Sequence, residues 1–109
     1  MAVISVASGT QTAVLTTEHT LTTQTDAGVY VLVVDCNALV NGDLVELRLY
    51  TKDKSGGDSR QAYLACYANV QSEPHVYSVP VPIDTEIIAT LKQTLGAAGR
   101  DFDWNLLRI

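Results

Sequence analysis

The sequence predicts an all-β fold: a single-domain β-sandwich, jelly-roll-like, with about eight short antiparallel strands. Apolar and polar residues alternate over positions 43–50 and again over 101–106, as in strands that bury one face. Turn-forming clusters recur at short spacing, at Asn41-Gly42-Asp43, at 52–60 and at 95–99. No stretch sustains an apolar helical period beyond two turns.

Each element has its own reason. Residues 10–25 are dense in Thr, with Val14, Leu15 and Leu21 interspersed, a composition that suits a half-exposed pleated surface. They read as two modest strands around Thr17-Glu18-His19, so residues 1–27 are set apart as Thr-rich strands or an arm and residues 28–109 as the sandwich core. The run Gly28-Val29-Tyr30-Val31-Leu32-Val33-Val34 is apolar on both parities and reads as a central strand covered on both faces. Residues 35–40 form a connection with room for one helical turn. From Asp43 onward Val45, Leu47 and Leu49 point inward, while Glu46, Arg48 and Tyr50 face water. The loop 52–60 turns this strand into a second, residues 61–68, whose small side chains leave its core face open between the Leu64/Cys66 side and the Tyr63/Tyr67 side. Pro74, Pro80 and Pro82 bracket residues 75–79, which read as an edge strand or an extended crossover because proline cannot donate to a ladder. Ile87, Ala89 and Leu91 alternate with Glu86, Thr90 and Lys92, with Ile88 the outlier. Last, Phe102, Trp104 and Leu106 give way to Leu107 and Ile109, a parity switch that predicts a bulge near the paired leucines. With the only Phe and only Trp inside it, this strand should complete the core.

Composition narrows the function. The 109 residues are 47% hydrophobic but only 6% aromatic, so the core is mainly aliphatic. A net charge of −5 without any Lys/Arg cluster argues against nucleic acid as a partner. The first residues lack a basic start and apolar segment, and no run approaches the ~20 apolar residues of a membrane span, so a cytoplasmically made chain with no membrane partner is expected. Cys36 and Cys66 form no C-x-x-C motif and read as two buried small hydrophobes, with a disulfide as the alternative. His19 and His75 have no partner at ligand spacing, and neither a metal nor another cofactor is expected.

Catalytic patterns are missing. No serine sits in a G-x-S-x-G elbow, and the carboxylates fall singly on strands and loops. Asp101-Phe102-Asp103-Trp104-Asn105 imitates a calcium loop, but Leu106 stands where the turn requires Gly and no Glu closes it. An enzyme is not expected. Two features suit binding instead. Tyr50, Tyr63, Tyr67 and Tyr77 lie on neighbouring predicted strands and would form an aromatic strip if they shared a face, against the commoner outcome that they pack inside. Thr10, Thr12, Thr16, Thr17, Thr20 and Thr22 line a segment whose backbone could add a strand to a partner's sheet, against a simple edge strand of its own sheet.

The chain also resembles a family of small proteins encoded among the structural genes of tailed bacteriophages and prophages. The resemblance runs through residues 5–12, Tyr30-Val31-Leu32-Val33-Val34-Asp35, Val40-Asn41-Gly42-Asp43 with Glu46-Leu47-Arg48, and Ala89-Thr90-Leu91-Lys92-Gln93-Thr94 leading to Gly99-Arg100, Phe102, Trp104 and Leu107-Arg108-Ile109. Where that family commonly has Pro before the Trp, this chain has Asp103, which relaxes the local bend. The resemblance implies a virion structural protein. By analogy with small β-rich proteins used in this way, it implies a head decoration or cement protein on the capsid surface. Its partners would be the major capsid protein and itself, as a homotrimer at local three-fold axes, with the threonine segment as the contact arm. The alternatives are a carbohydrate- or receptor-binding sandwich of a phage fibre using the tyrosines, and a head–tail connector or tail-completion protein.

Overall fold

The computed structural model describes residues 2–109. Its strands are β1 (Ile4–Thr12), β2 (Glu18–Gln24), β3 (Gly28–Asp35), β4 (Leu44–Thr51), β5 (Arg60–Ala68), β6 (His75–Tyr77), β7 (Val81–Ile83), β8 (Ile87–Leu95) and β9 (Asp101–Arg108). One antiparallel sheet, here sheet I, has the order β1-β9-β3-β6, with β7 also on β3; the other, sheet II, has the order β2-β8-β4-β5.

The pairing is nested. Around the loop 52–59 the chain folds back on itself as one long hairpin, with Leu44 opposite Ala68, Gly28 opposite Ile83, Glu18 opposite Lys92 and Ile4 opposite Arg108. Rolling that hairpin so that β9 also pairs β3 and β8 also pairs β4 makes the two sheets. If β6 and β7 count as one interrupted strand, these are the eight strands of a jelly roll. The interruption is chemical. Pro80 and Pro82 cannot donate to β3, and at the gap Ser78 supplies its backbone N–H to the Leu32 carbonyl (2.8 Å) while its Oγ accepts from the Leu32 N–H (2.9 Å).

Alternation fills the interior as the sequence predicts. Tyr30, Leu32 and Val34 of β3, Val45, Leu47 and Leu49 of β4, Ile87, Ala89 and Leu91 of β8, and Phe102 and Leu106 of β9 are all buried between the sheets. The Tyr30 hydroxyl donates to the Asp26 carbonyl (2.6 Å), so the largest core side chain leaves no polar atom unpaired. Trp104 packs over Gly9, where an added methyl would stand at ordinary contact distance from the indole.

A polar cluster closes one end of the sandwich. Gln93 is fully buried; its amide donates to the carbonyls of Leu95 (3.1 Å) and Ala98 (3.0 Å), and its Oε1 accepts the Arg100 N–H (2.8 Å). Asp43 is 2% exposed, and its Oδ2 accepts from the Val40 N–H (3.0 Å) and the Arg100 Nε (2.9 Å). The turn after β8 is thereby tied to the turn before β4.

Several expectations change. β1 starts at Ile4, well before the threonine run, and β1 and β2 pair along their length with β9 and β8. Alternation is weak there because Ser, Gly and Thr occupy both faces. β3 is covered on one face only: Val29, Val31 and Val33 are half-buried on the outer face of sheet I, screened by lateral neighbours and not by another layer. Residues 36–40 form turns and no helix. The bulge sits in β1 at Val6, opposite Leu106 and Leu107, while β9 runs in unbroken register with β3, so Leu107 faces outward. Cys66 is exposed and only Cys36 is buried; both are free thiols. Burial, reinforced by the Asp35 charge, pushes the Cys36 thiol up to about 12. An aromatic disulfide reagent is therefore expected to titrate one thiol, Cys66, in the native protein and a second only after unfolding; two fast thiols would contradict this packing.

Candidate partner-binding surfaces

The threonines divide among three settings. Thr10 and Thr12 point outward from β1, opposite Asp103 and Asp101, and their hydroxyls donate to those carboxylates at 2.5 and 2.6 Å. Ser5 continues the ladder to Asn105 (2.6 Å). Thr16 and Thr17 form the turn between β1 and β2. Thr16 holds a left-handed backbone (φ 67°), unusual for a β-branched residue, and is fixed by its N–H to the Gln93 carbonyl (2.8 Å). Thr20 faces outward beside Thr90, whereas the bulge at Leu21 turns Thr22 to the Ala89 side, where its Oγ1 accepts from Gln24 (2.9 Å). β1 and β2 are outermost strands of their sheets, joined by the turn at residues 13–17. Their outward backbone groups are free to pair with another strand.

The tyrosines do not form a strip. Tyr63 and Tyr67 turn inward and pack against the core, which settles the open face of β5: Leu64 and Cys66 are outside. Tyr50 lies on the outer face of sheet II and donates to Glu18 Oε2 (2.6 Å), while Tyr77 lies on the outer face of sheet I, 62% exposed. Parity put Tyr50 and Tyr77 on opposite outer surfaces, and adjacency in sequence order gave no hint of that.

Shallow concavities lie on both outer faces. On sheet II a space of about 420 Å³ is lined by Glu18, Thr20, Tyr50, Ser59, Ile88 and Thr90. Glu18 Oε2 accepts from both Tyr50 and Thr90 (2.7 Å), and the Tyr50 hydrogen bond outweighs burial to hold this carboxyl below its ordinary range. The same bond, with burial, pushes the Tyr50 phenol up. On sheet I a space of about 210 Å³ is bounded by Val33, Asp35, His75, Asp103, Trp104 and Asn105. His75 lies 3.7 Å from Asp35, and His19 is engaged elsewhere, its Nε2 accepting the Val14 N–H (3.0 Å). Among the described residues no group of His, Cys, Asp and Glu is arranged to hold a metal.

The surface that sequence reasoning missed is the outer face of sheet I. Val29, Val31 and Val33 of β3 and Leu107 of β9 stand side by side there, with Tyr77 beyond Val33 and the carboxylates Asp101 and Asp103 toward β1. The signal was present: an eight-residue strand apolar on both parities predicts two covers, and the domain itself provides one.

No family model matches the chain, and no curated protein matches it. Among solved structures it is similar to a chain in T=1 particles derived from infectious bursal virus, with a TM-score of 0.50 and 16% identity over 97% of this chain. It spans 30% of that chain's length. The likeness shows the fold: a β-sandwich like that of a viral capsid.

Proposed function

We propose that this chain is a structural component of a virion, a decoration or cement protein that binds the outside of a tailed-bacteriophage head and bridges major capsid proteins. The observation that carries this reading is the half-exposed apolar stripe of Val29, Val31, Val33 and Leu107 on a rigid sandwich, next to the open β1 edge. A cement protein needs a stiff body, a face to seat and an edge to pair; it needs no reacting group. The capsid-like sandwich and the resemblance to tailed-phage structural proteins support the same class. The net charge of −5 suits an outer surface that must not compete for DNA. Copies would gather as trimers on local three-fold axes of the shell. Asp101 and Asp103 beside β1 make a basic strand the better match for that edge.

Substitution on the stripe tests the reading. Val31→Lys adds a charge on a face already open to water, so the fold should persist, while a central contact of this kind contributes about 2 kcal/mol or more to association. Binding to shells lacking the protein is expected to weaken about 30-fold or more, with an unchanged circular dichroism spectrum. Undiminished binding would remove this face from the interface. The competing fibre reading has one observation in its favour, the sheet II concavity around Glu18 and Tyr50. It predicts glycan binding abolished by Tyr50→Ala and indifferent to Val31→Lys.

A further inference from the structure

We infer that β5 is a seam at which a second copy of this chain joins antiparallel, extending sheet II across a two-fold axis. The inference goes beyond the virion reading and stands without it. It starts from how the sheet edges are defended. Exposed strand edges invite pairing, and proteins blunt them with prolines, charges and bulges. The β6–β7 edge is broken by Pro80 and Pro82. β2 is split by the bulge at Leu21 and carries Glu18, and β1 has a bulge at Val6 and lies next to Asp101 and Asp103, which would face the same carboxylates of a second copy. β5 has none of these defences where it matters. Its one irregularity is at Ala62, and from Tyr63 to Ala68 it keeps unbroken register with β4 while no strand pairs its other side, although the Ala68 carbonyl accepts from the Gln71 side-chain amide (2.7 Å).

The side chains fit a second copy. No charged residue occurs between Arg60 and Glu73, although the chain as a whole carries −5. Leu64 is 44% exposed on the outer face, with Cys66 beside it. The run Tyr63-Leu64-Ala65-Cys66-Tyr67 reads with the same pattern in both directions. A two-fold axis through Ala65 sets Tyr63 opposite Tyr67 of the second copy on the inner face, and Leu64 opposite Cys66 on the outer face. A two-fold axis perpendicular to the sheet makes the two β5 strands antiparallel. The cations at the start of β5 are paired within the chain, Arg60 with Asp58 (3.3 Å) and Lys52 with Glu86 (3.8 Å), so the match across the seam is one of uncharged surface.

Light scattering coupled to gel filtration tests this. Over a concentration series the wild type is expected to move from 11.7 kDa toward twice that mass. The double variant Leu64→Lys/Cys66→Lys, which places four ammonium groups across the outer face of the seam, is expected to stay at the monomer mass at every concentration. A dimer that persists in this variant, or a wild type that stays monomeric to millimolar concentration, overturns the inference. A second measurement keeps the test open should the variant misfold. With Cys36 buried, a short bis-maleimide is expected to link wild-type chains through Cys66 into a covalent dimer in the concentration range where mass doubles, and Cys66→Ser abolishes it. Linkage no greater than at concentrations where the protein is monomeric overturns the seam.

Discussion

Replacing Asp43 with Ala is expected to destabilise the domain by about 3 kcal/mol, a large share of the roughly 5–15 kcal/mol typical of a single domain. The side chain is 1% exposed, and its carboxylate holds two donors from different parts of the chain, the Val40 N–H and the Arg100 guanidinium. Removing it leaves one buried N–H unpaired and one guanidinium without its counter-charge, and each loss is larger than the net value of the bond itself. The figure stays at the low end for a broken ion pair because Arg100 is 26% exposed and water can still reach it. The effect depends on pH. Burial opposes ionisation of Asp43, but the Val40 and Arg100 contacts outweigh it, and the carboxyl lies below its ordinary value of 3.8. A carboxyl lowered by folding stabilises the native state above its unfolded value, and that contribution disappears as pH falls through the folded value. Urea titrations should therefore show the gap between wild type and Asp43→Ala at full size at neutral pH, closing below pH 3.8. A gap that persists unchanged in strong acid would mean that the carboxylate's charge contributes nothing.

Gly99→Ala is expected to cost about 3 kcal/mol or more, at the upper end for forcing a single methyl into a packed site. A Cβ at position 99 would overlap the Ala13 carbonyl oxygen. Ala13 cannot yield cheaply: it is 4% exposed and its own N–H donates to the Arg100 carbonyl (2.9 Å). The clash would push β1 away from the β8–β9 turn at the place where Gln93 and Asp43 hold that turn. Gly9→Ala is the control, since its added methyl would lie 3.5 Å from the Trp104 ring, an ordinary contact, and should change stability by less than about 1 kcal/mol. Thermal melts of the two variants decide it; equal melting temperatures would contradict the close approach of Ala13 and Gly99.

These two positions mark what the sequence did and did not disclose. Alternation in β4, β8 and β9 was enough to assign Val45, Leu47, Leu49, Ile87, Ala89, Leu91, Phe102 and Leu106 to the core, because a period of two is imposed by the pleat itself. The prolines place residues 75–79 at an edge, and β6 there is the outermost strand of sheet I. Gly99 read as a turn glycine, however, and the contact that requires it comes from Ala13, a partner remote in sequence. Gln93 and Asp43 gave no signal as buried polar residues, since nothing local distinguishes an amide inside a cluster from one in water. Parity does not orient β5, where Ala and Cys fit either side, and a run apolar on both parities, as in β3, reads as two buried faces whether or not a second layer covers it. The candidate surface was thus visible as composition but not as exposure.

The measurement that tests the central claim most directly is cryo-EM of shells of the phage that the proposal assigns it to, prepared without it and then incubated with the purified chain. The account predicts ordered density at symmetry-related positions on the outside of the shell, with the Val29, Val31, Val33 and Leu107 stripe or the β1 edge against the capsid protein. Shells that stay bare, or density confined to the tail or portal, would contradict it.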